Sequence, residues 1–183
     1  MPEFLTLVSP ESARELLFTH LHAMKADSEL VQTISALDRV TAEAVLAPHP
    51  LPEFPRSTVD GYAVRAQDTF GAADSMPAYL NLIGEVPMGG APSFEVRSGQ
   101  CALIYTGGML PDGADAVVMQ EYTQGTSETS RDLGGLSREI EVMRPVADGE
   151  NVIRIGEDVV AGQLVIPRGS QLRPAEIGGL SRT

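Results

Sequence analysis

Apolar side chains fall at helical spacing near the start of the chain and give way to short, strand-length runs further on. Ala13, Leu16, Leu17, Leu21 and Met24 lie along one helical face. Ser9-Pro10-Glu11 supplies the start, with Ser9 as cap, Pro10 at the first helical position and Glu11 complementing the helix dipole. Val31, Ile34 and Leu37 lead into a second predicted helix over roughly residues 38 to 46, capped by Asp38 and apolar at Val40, Ala44 and Val45. Pro48, Pro50, Pro52 and Pro55 then interrupt any helix, because each lacks an N–H and biases its predecessor toward extended backbone. Beyond them Tyr62-Ala63-Val64, Tyr79 to Val86, Cys101 to Tyr105, Ala116 to Met119 and Ile140 to Met143 read as strands. The Gly-, Ser- and Thr-rich stretch Gln124 to Ser137 reads as a mobile loop. After Pro145, Val152-Ile153-Arg154 and Leu164-Val165-Ile166 predict two strands, Pro167-Arg168-Gly169-Ser170 a turn, and Pro174 the start of a short helix. That helix reaches only to Thr183, and so short a helix needs something to pack on, which leads one to expect a continuation. Composition boundaries fall near residues 50 and 145.

Composition narrows the classes. Among 183 residues 43% are hydrophobic, and the mean hydropathy of -0.01 is that of a globular chain. With no tryptophan and 5% aromatics, the core is expected to be built from Val, Leu, Ile, Ala and Met. The formal charge of -12 repels a phosphate backbone and argues against nucleic acid. Small anionic substrates remain compatible with it, since backbone N–H groups or a cation can supply local positive potential. Cys101 stands alone, which rules out an intrachain disulfide, and its apolar run reads as a buried thiol. No apolar run reaches membrane-spanning length and no leader pattern opens the chain, so no membrane partner and a cytoplasmic location are expected.

Three segments can carry chemistry. In Ser57-Thr58-Val59-Asp60-Gly61-Tyr62-Ala63 an aspartate sits on a turn pair beside a strand, where it either binds a cation and orients water or merely caps the turn. In Tyr105-Thr106-Gly107-Gly108 a strand runs into a hydroxyl and unshielded amides, which suits an oxyanion and equally suits an ordinary hairpin bend. In Arg154-Ile155-Gly156-Glu157-Asp158 the acids either coordinate Mg²⁺ beside an anion-steering arginine or form a surface ion pair. Histidine adds nothing: His20 and His22 point to different sides of a helix, and His49 stands alone.

In order and wording the three segments closely resemble the MoeA family, which includes the E domain of gephyrin. The family's Ser-x-x-Asp-Gly-Tyr/Phe-Ala reads Ser57 to Ala63, and its Thr-Gly followed by Pro-x-Gly-Ala-Asp-Ala-Val-Val reads Thr106-Gly107 and Pro111 to Val118. Its Gly-Glu-Asp, Gly and Pro-x-Gly read Gly156-Glu157-Asp158, Gly162 and Pro167-Arg168-Gly169. Arg56 and Val59 stand where the family usually has Asn and Met, Gly108 replaces a common Ala, and Ile153 an Arg.

The resemblance implies a β-rich α+β fold, an elongated helix/strand arm (1–49 plus 145–183) with an inserted β-rich domain (50–144). It also implies a molybdopterin-binding α/β domain and a C-terminal β domain that this chain does not contain. The implied activity is Mg²⁺-dependent insertion of molybdate into adenylylated molybdopterin with release of AMP, by a homodimer that could contact the molybdopterin adenylyltransferase. On this segment Asp60 and Thr106 would be catalytic, Ser57, Gly107, Gly108 and Arg154 would bind the anionic ligand, and Asp60 and Asp158 would hold the metal. The segment alone is expected to be inactive. The competing expectation is a non-catalytic dimerisation or docking module, and a small hydrolase lacks any visible base–nucleophile pair.

Overall fold

Alternation with period two dominates the centre of the molecule. The computed structural model describes residues 7–21, 27–125 and 138–181. In chain order its elements are helix α1 (Pro10–His20), β1 (Val45–Leu46), β2 (Arg56–Ser57), β3 (Gly61–Val64), β4 (Ala78–Glu85), β5 (Gln100–Ile104), β6 (Ala116–Met119), β7 (Thr123–Gly125), β8 (Arg138–Val142), β9 (Val152–Ile153), β10 (Leu164–Ile166) and helix α2 (Pro174–Leu180). Six strands form one sheet in the order β6-β3-β5-β4-β8-β7, antiparallel except where β4 runs parallel to β5. A parallel pair needs a crossover, and residues 86–99 provide it.

Both faces of this sheet are covered. Val64, Ala116, Val118, Cys101, Leu80, Ile140 and Val142 pack on one side. Ala63, Val117, Ile104, Val86 and Leu110 pack on the other. Successive residues of β3 and β6 thus serve opposite cores, which is why these strands read as unbroken apolar runs. Cys101 is fully buried, and burial pushes its thiol up to about 12, so it stays a neutral packing group.

Gly61 is in extended backbone within β3, not in the left-handed region that a tight turn would demand. Its reason is space: a Cβ there would overlap the Val118 carbonyl of β6. The far edge of β6 is stitched to the returning chain. Gly149 N–H donates to the Asp115 carbonyl at 2.9 Å, Val117 N–H to the Glu150 carbonyl at 3.1 Å, and Asn151 Nδ2 to the Val117 carbonyl at 2.9 Å. Buried Thr69 adds a clasp, its hydroxyl donating to the Ala66 carbonyl at 2.7 Å and accepting from Val146 N–H at 3.0 Å.

The two ends of the chain meet in small ribbons, β1 with β10 and β2 with β9. A third apolar cluster of Ala36, Ile166 and Leu172, with Val45 beside it, seats Ile177 and Leu180 of α2. α2 begins at Pro174 as expected, with Arg173 N–H donating to Glu176 at 3.0 Å. α1 also begins as expected, Ser9 Oγ accepting from Ser12 N–H at 3.2 Å, but none of its residues is buried. His22 and Met24 lie outside the described residues, as does most of the expected Gln124–Ser137 loop, whose first residues form β7.

The expected helix over 38–46 is absent. A short 3-10 turn spans Thr33–Ser35, Asp38 adopts φ of 63° instead of capping a helix, and Val45–Leu46 is a strand. Cross-chain bonds replace the helical ladder: Asp38 N–H to the Leu172 carbonyl at 2.9 Å, Thr41 N–H to Ser170 at 3.0 Å and Leu172 N–H to Arg39 at 2.8 Å. Tertiary pairing overrides a weak local preference here. Among the described residues no helix is long and apolar enough to cross a membrane.

Gly61→Ala is expected to destabilise the chain by about 1–3 kcal/mol, because the central β3–β6 pair must part. Urea unfolding measures this, and a loss below about 0.5 kcal/mol would show that the pair has slack.

Candidate functional site

Asp60 enters the site from the first residue before β3, whose Gly61 lies opposite both Ile104 of β5 and Met119 of β6. That register brings it beside Tyr105 and Thr106, which follow β5. Thr106 donates twice to the same oxygen, its N–H to Asp60 Oδ1 at 2.7 Å and its hydroxyl at 2.8 Å. Asp60 is fully exposed, and its carboxyl is nevertheless held below the usual aspartate range, first by the Thr106 backbone bond and second by the Thr106 hydroxyl. Oδ2 takes neither bond. The group is therefore a fixed, ionised acceptor and a poor proton acceptor at neutral pH.

The amides expected to be bare are not. Thr106 N–H serves Asp60, Gly107 N–H donates to the Ser57 carbonyl at 2.8 Å, and Gly108 N–H to the Tyr105 carbonyl at 2.8 Å. The glycines are present for shape: Gly107 has φ of 83°, and a Cβ on Gly108 would sit 2.8 Å from the Tyr105 carbonyl oxygen. Ser57 is buried, and its hydroxyl donates to the Val59 carbonyl at 2.6 Å and accepts from Val59 N–H at 3.2 Å. Ser57, Gly107 and Gly108 thus brace the loop that carries Thr106, and none offers a free donor to an anion.

Asp60 and Thr106 line one open recess of about 450 Å³ together with Tyr105 and Met88. Neither of the latter two was singled out from sequence. Tyr105 immediately precedes Thr106 and passed as the end of an apolar strand, and Met88 sits in the crossover after β4, where nothing local marks it. The Tyr105 hydroxyl is held above the usual tyrosine range, chiefly by the charge of Glu85, then by desolvation, its bond to Glu85 and the charge of Asp60.

Arg154 and Asp158 do not meet. Arg154 pairs with Asp148 at 3.5 Å, while Asp158 pairs with Arg56 of β2 at 3.7 Å. The arginine that departs from the family's usual Asn therefore takes the aspartate assigned to the metal. All four side chains are substantially exposed, so each bridge is worth under about 1 kcal/mol. Glu157 closes its own loop by accepting from Arg154 N–H at 2.8 Å. Asp115 is structural as well, accepting from Ala66 N–H at 2.6 Å. Among the described residues no group of three or more His, Cys, Asp or Glu could hold a metal ion.

Comparison with known proteins gives a consistent result. Residues 8–183 match the family model described as MoeA N-terminal region (domain I and II). A molybdopterin molybdenumtransferase of Bacillus subtilis is 34% identical over 150 residues, 82% of this chain and 34% of that protein. Its namesake in a Nostoc species is 34% identical over 155 residues, 85% of this chain and 33% of that one. The crystal structure of a molybdopterin biosynthesis MoeA protein from Pyrococcus horikoshii superposes with a TM-score of 0.76 and 39% identity, covering 85% of this chain and 38% of that one. A second Pyrococcus MoeA structure gives 0.80 and 34%, covering 97% and 42%. The chain spans between 33% and 42% of the length of these relatives.

The Asp60–Thr106 geometry has a pH signature. A depressed carboxyl stabilises the folded state above its unfolded value, and that stabilisation is lost as pH falls through the folded one. Carboxyl carbon NMR should find Asp60 titrating below ordinary aspartates. Thr106→Val should recover only part of the difference, because the backbone N–H is the larger cause. Full recovery would reverse that order.

Proposed function

Because this chain belongs to the MoeA N-terminal-region family, we propose that it is the arm and inserted β domain of a molybdopterin molybdenumtransferase, an enzyme of molybdenum cofactor biosynthesis. In this reading residues 1–49 and 145–183 form the arm and 50–144 the inserted domain. The full-length protein transfers molybdenum from molybdate to the dithiolene of adenylylated molybdopterin and releases AMP, in the cytoplasm. The chain supplies one wall of that site and is inactive by itself.

The observation that carries the reading is Asp60, an ionised carboxylate pinned by two Thr106 bonds at the edge of an open recess. Mg²⁺ takes hard oxygen ligands and is often held by only one or two carboxylates, so Asp60 suits it without a larger acidic cage. The ion would neutralise charge on phosphate and oxyanion groups. Asp158 is the second candidate ligand, and it must first leave Arg56. Asp60 acts here by placement, of a cation or of water, rather than by taking a proton. Thr106 is a positioning residue whose donors keep Asp60 charged and still, while Arg154 buttresses the neighbouring loop.

A dimerisation or docking role has its own support. On α1 and at its C-cap, Leu16, Leu17, Phe18 and Leu21 are 50–64% exposed, an apolar surface that nothing covers among the described residues. A second copy of the chain is the partner we assign to it, and transient contact with the adenylyltransferase would serve substrate delivery.

In cells lacking their own molybdenumtransferase, full-length protein carrying Asp60→Asn should lower molybdoenzyme activity on the order of a hundredfold. Wild-type activity in that variant would remove the catalytic reading. Leu17→Lys with Phe18→Lys should shift the protein toward monomer in light scattering, and an unchanged mass would remove the dimer role of α1.

A further inference from the structure

The donors of the 106–108 turn beside Asp60 already have acceptors. The Thr106 N–H and hydroxyl go to Asp60 Oδ1, the Gly107 N–H to Ser57 and the Gly108 N–H to Tyr105. Acceptor oxygen is what this turn leaves to meet a ligand, in Asp60 Oδ2, which takes neither bond. β4 runs parallel to β5 with Glu85 opposite Leu103, so the two-residue period puts Glu85 on the same side of the sheet as Tyr105. There its charge acts on the Tyr105 hydroxyl. The Tyr105 ring and Met88 line the recess beside Asp60 and make it mostly apolar.

A bare oxyanion would meet the Asp60 carboxylate here and find the Thr106, Gly107 and Gly108 donors already taken. The recess suits a flat, polarizable group with N–H on its edge. An aromatic ring and a thioether favour such a face, and carboxylates accept from such an edge. We propose that Tyr105 is a ligand-contacting, specificity-determining residue of this recess, its ring and Met88 forming a wall for a planar nitrogen heterocycle whose N–H edge donates to Asp60. This rests on the function proposed above, whose substrate carries two rings of the required chemistry, a pterin and an adenine.

Calorimetric titration of the 183-residue chain with 6-carboxypterin, adenosine and molybdate separates the sources. One of the two rings binds, and the ring that does identifies which end of the substrate the recess takes. Tyr105→Ala weakens that binding by about tenfold or more, and Tyr105→Phe keeps it within about threefold, because stacking needs the ring and not the hydroxyl. Met88 is 71% exposed, so Met88→Ala leaves the fold intact and provides a second reading, a loss of about threefold. The proposal is overturned if neither ring binds the wild-type chain, if molybdate binds and the rings do not, or if Tyr105→Ala and Met88→Ala both keep wild-type affinity. Loss of cofactor synthesis in Asp60→Asn alongside any of those results would leave the enzymatic reading standing and sink only this one.

Discussion

Backbone meets backbone at Gly61, where β3 lies too close to β6 for any side chain, and the rest of the site is arranged around that approach. β3 is the strand shared by β5 and β6, so its position fixes both neighbours at once. With the strands this close, Ala63 and Val117 reach one core and Val64 and Val118 the other. The same register leaves Asp60 level with the end of β5, where Thr106 is waiting. A glycine that carries no chemistry thereby decides where the carboxylate stands. Two bonds onto one oxygen then oppose the protonation that burial would favour. They hold an exposed acid in a single charged state and a single orientation.

Hydrogen-bond accounting separates the residues that shape the recess from those that face it. Ser57, Gly107 and Gly108 direct their polar groups to each other, to Val59 and to Tyr105. Asp115 and Glu157 spend theirs on nearby amides. Much of the motif wording is therefore a folding instruction for the loops, and among the described residues Asp60, Tyr105, Thr106 and Met88 line the opening. A wall made of acceptors and apolar surface can complete an anion site only if cations or donors come from elsewhere. This agrees with a chain that spans about two fifths or less of its relatives.

How far the sequence could be read depended on how local each cause was. β6 and β10 were read to the residue, because an unbroken apolar run between turns has few other meanings. The Ser9 cap was equally plain, since donor and acceptor lie three residues apart. The segment 38–46 misled because Val40, Ala44 and Val45 suit a helix as well as a ribbon, and the partners that decide, Ser170 and Leu172, lie some 130 residues away. Glycines announced exposed amides, but not the Ser57 carbonyl that would occupy one of them. Glu85 could be tied to Tyr105 only through a parallel register, which no local pattern encodes.

The stitching of residues 149–151 along β6 has a further effect. An outer strand normally offers a row of unpaired N–H and C=O groups to any stray extended chain. Here the returning polypeptide occupies those positions from Asp115 to Val117, twice through its backbone and once through the Asn151 amide. The β6 border of the sheet is closed by the chain itself. Crowded copies meet there a surface already saturated, and the sheet can stay strongly hydrophobic inside without recruiting its neighbours into fibres.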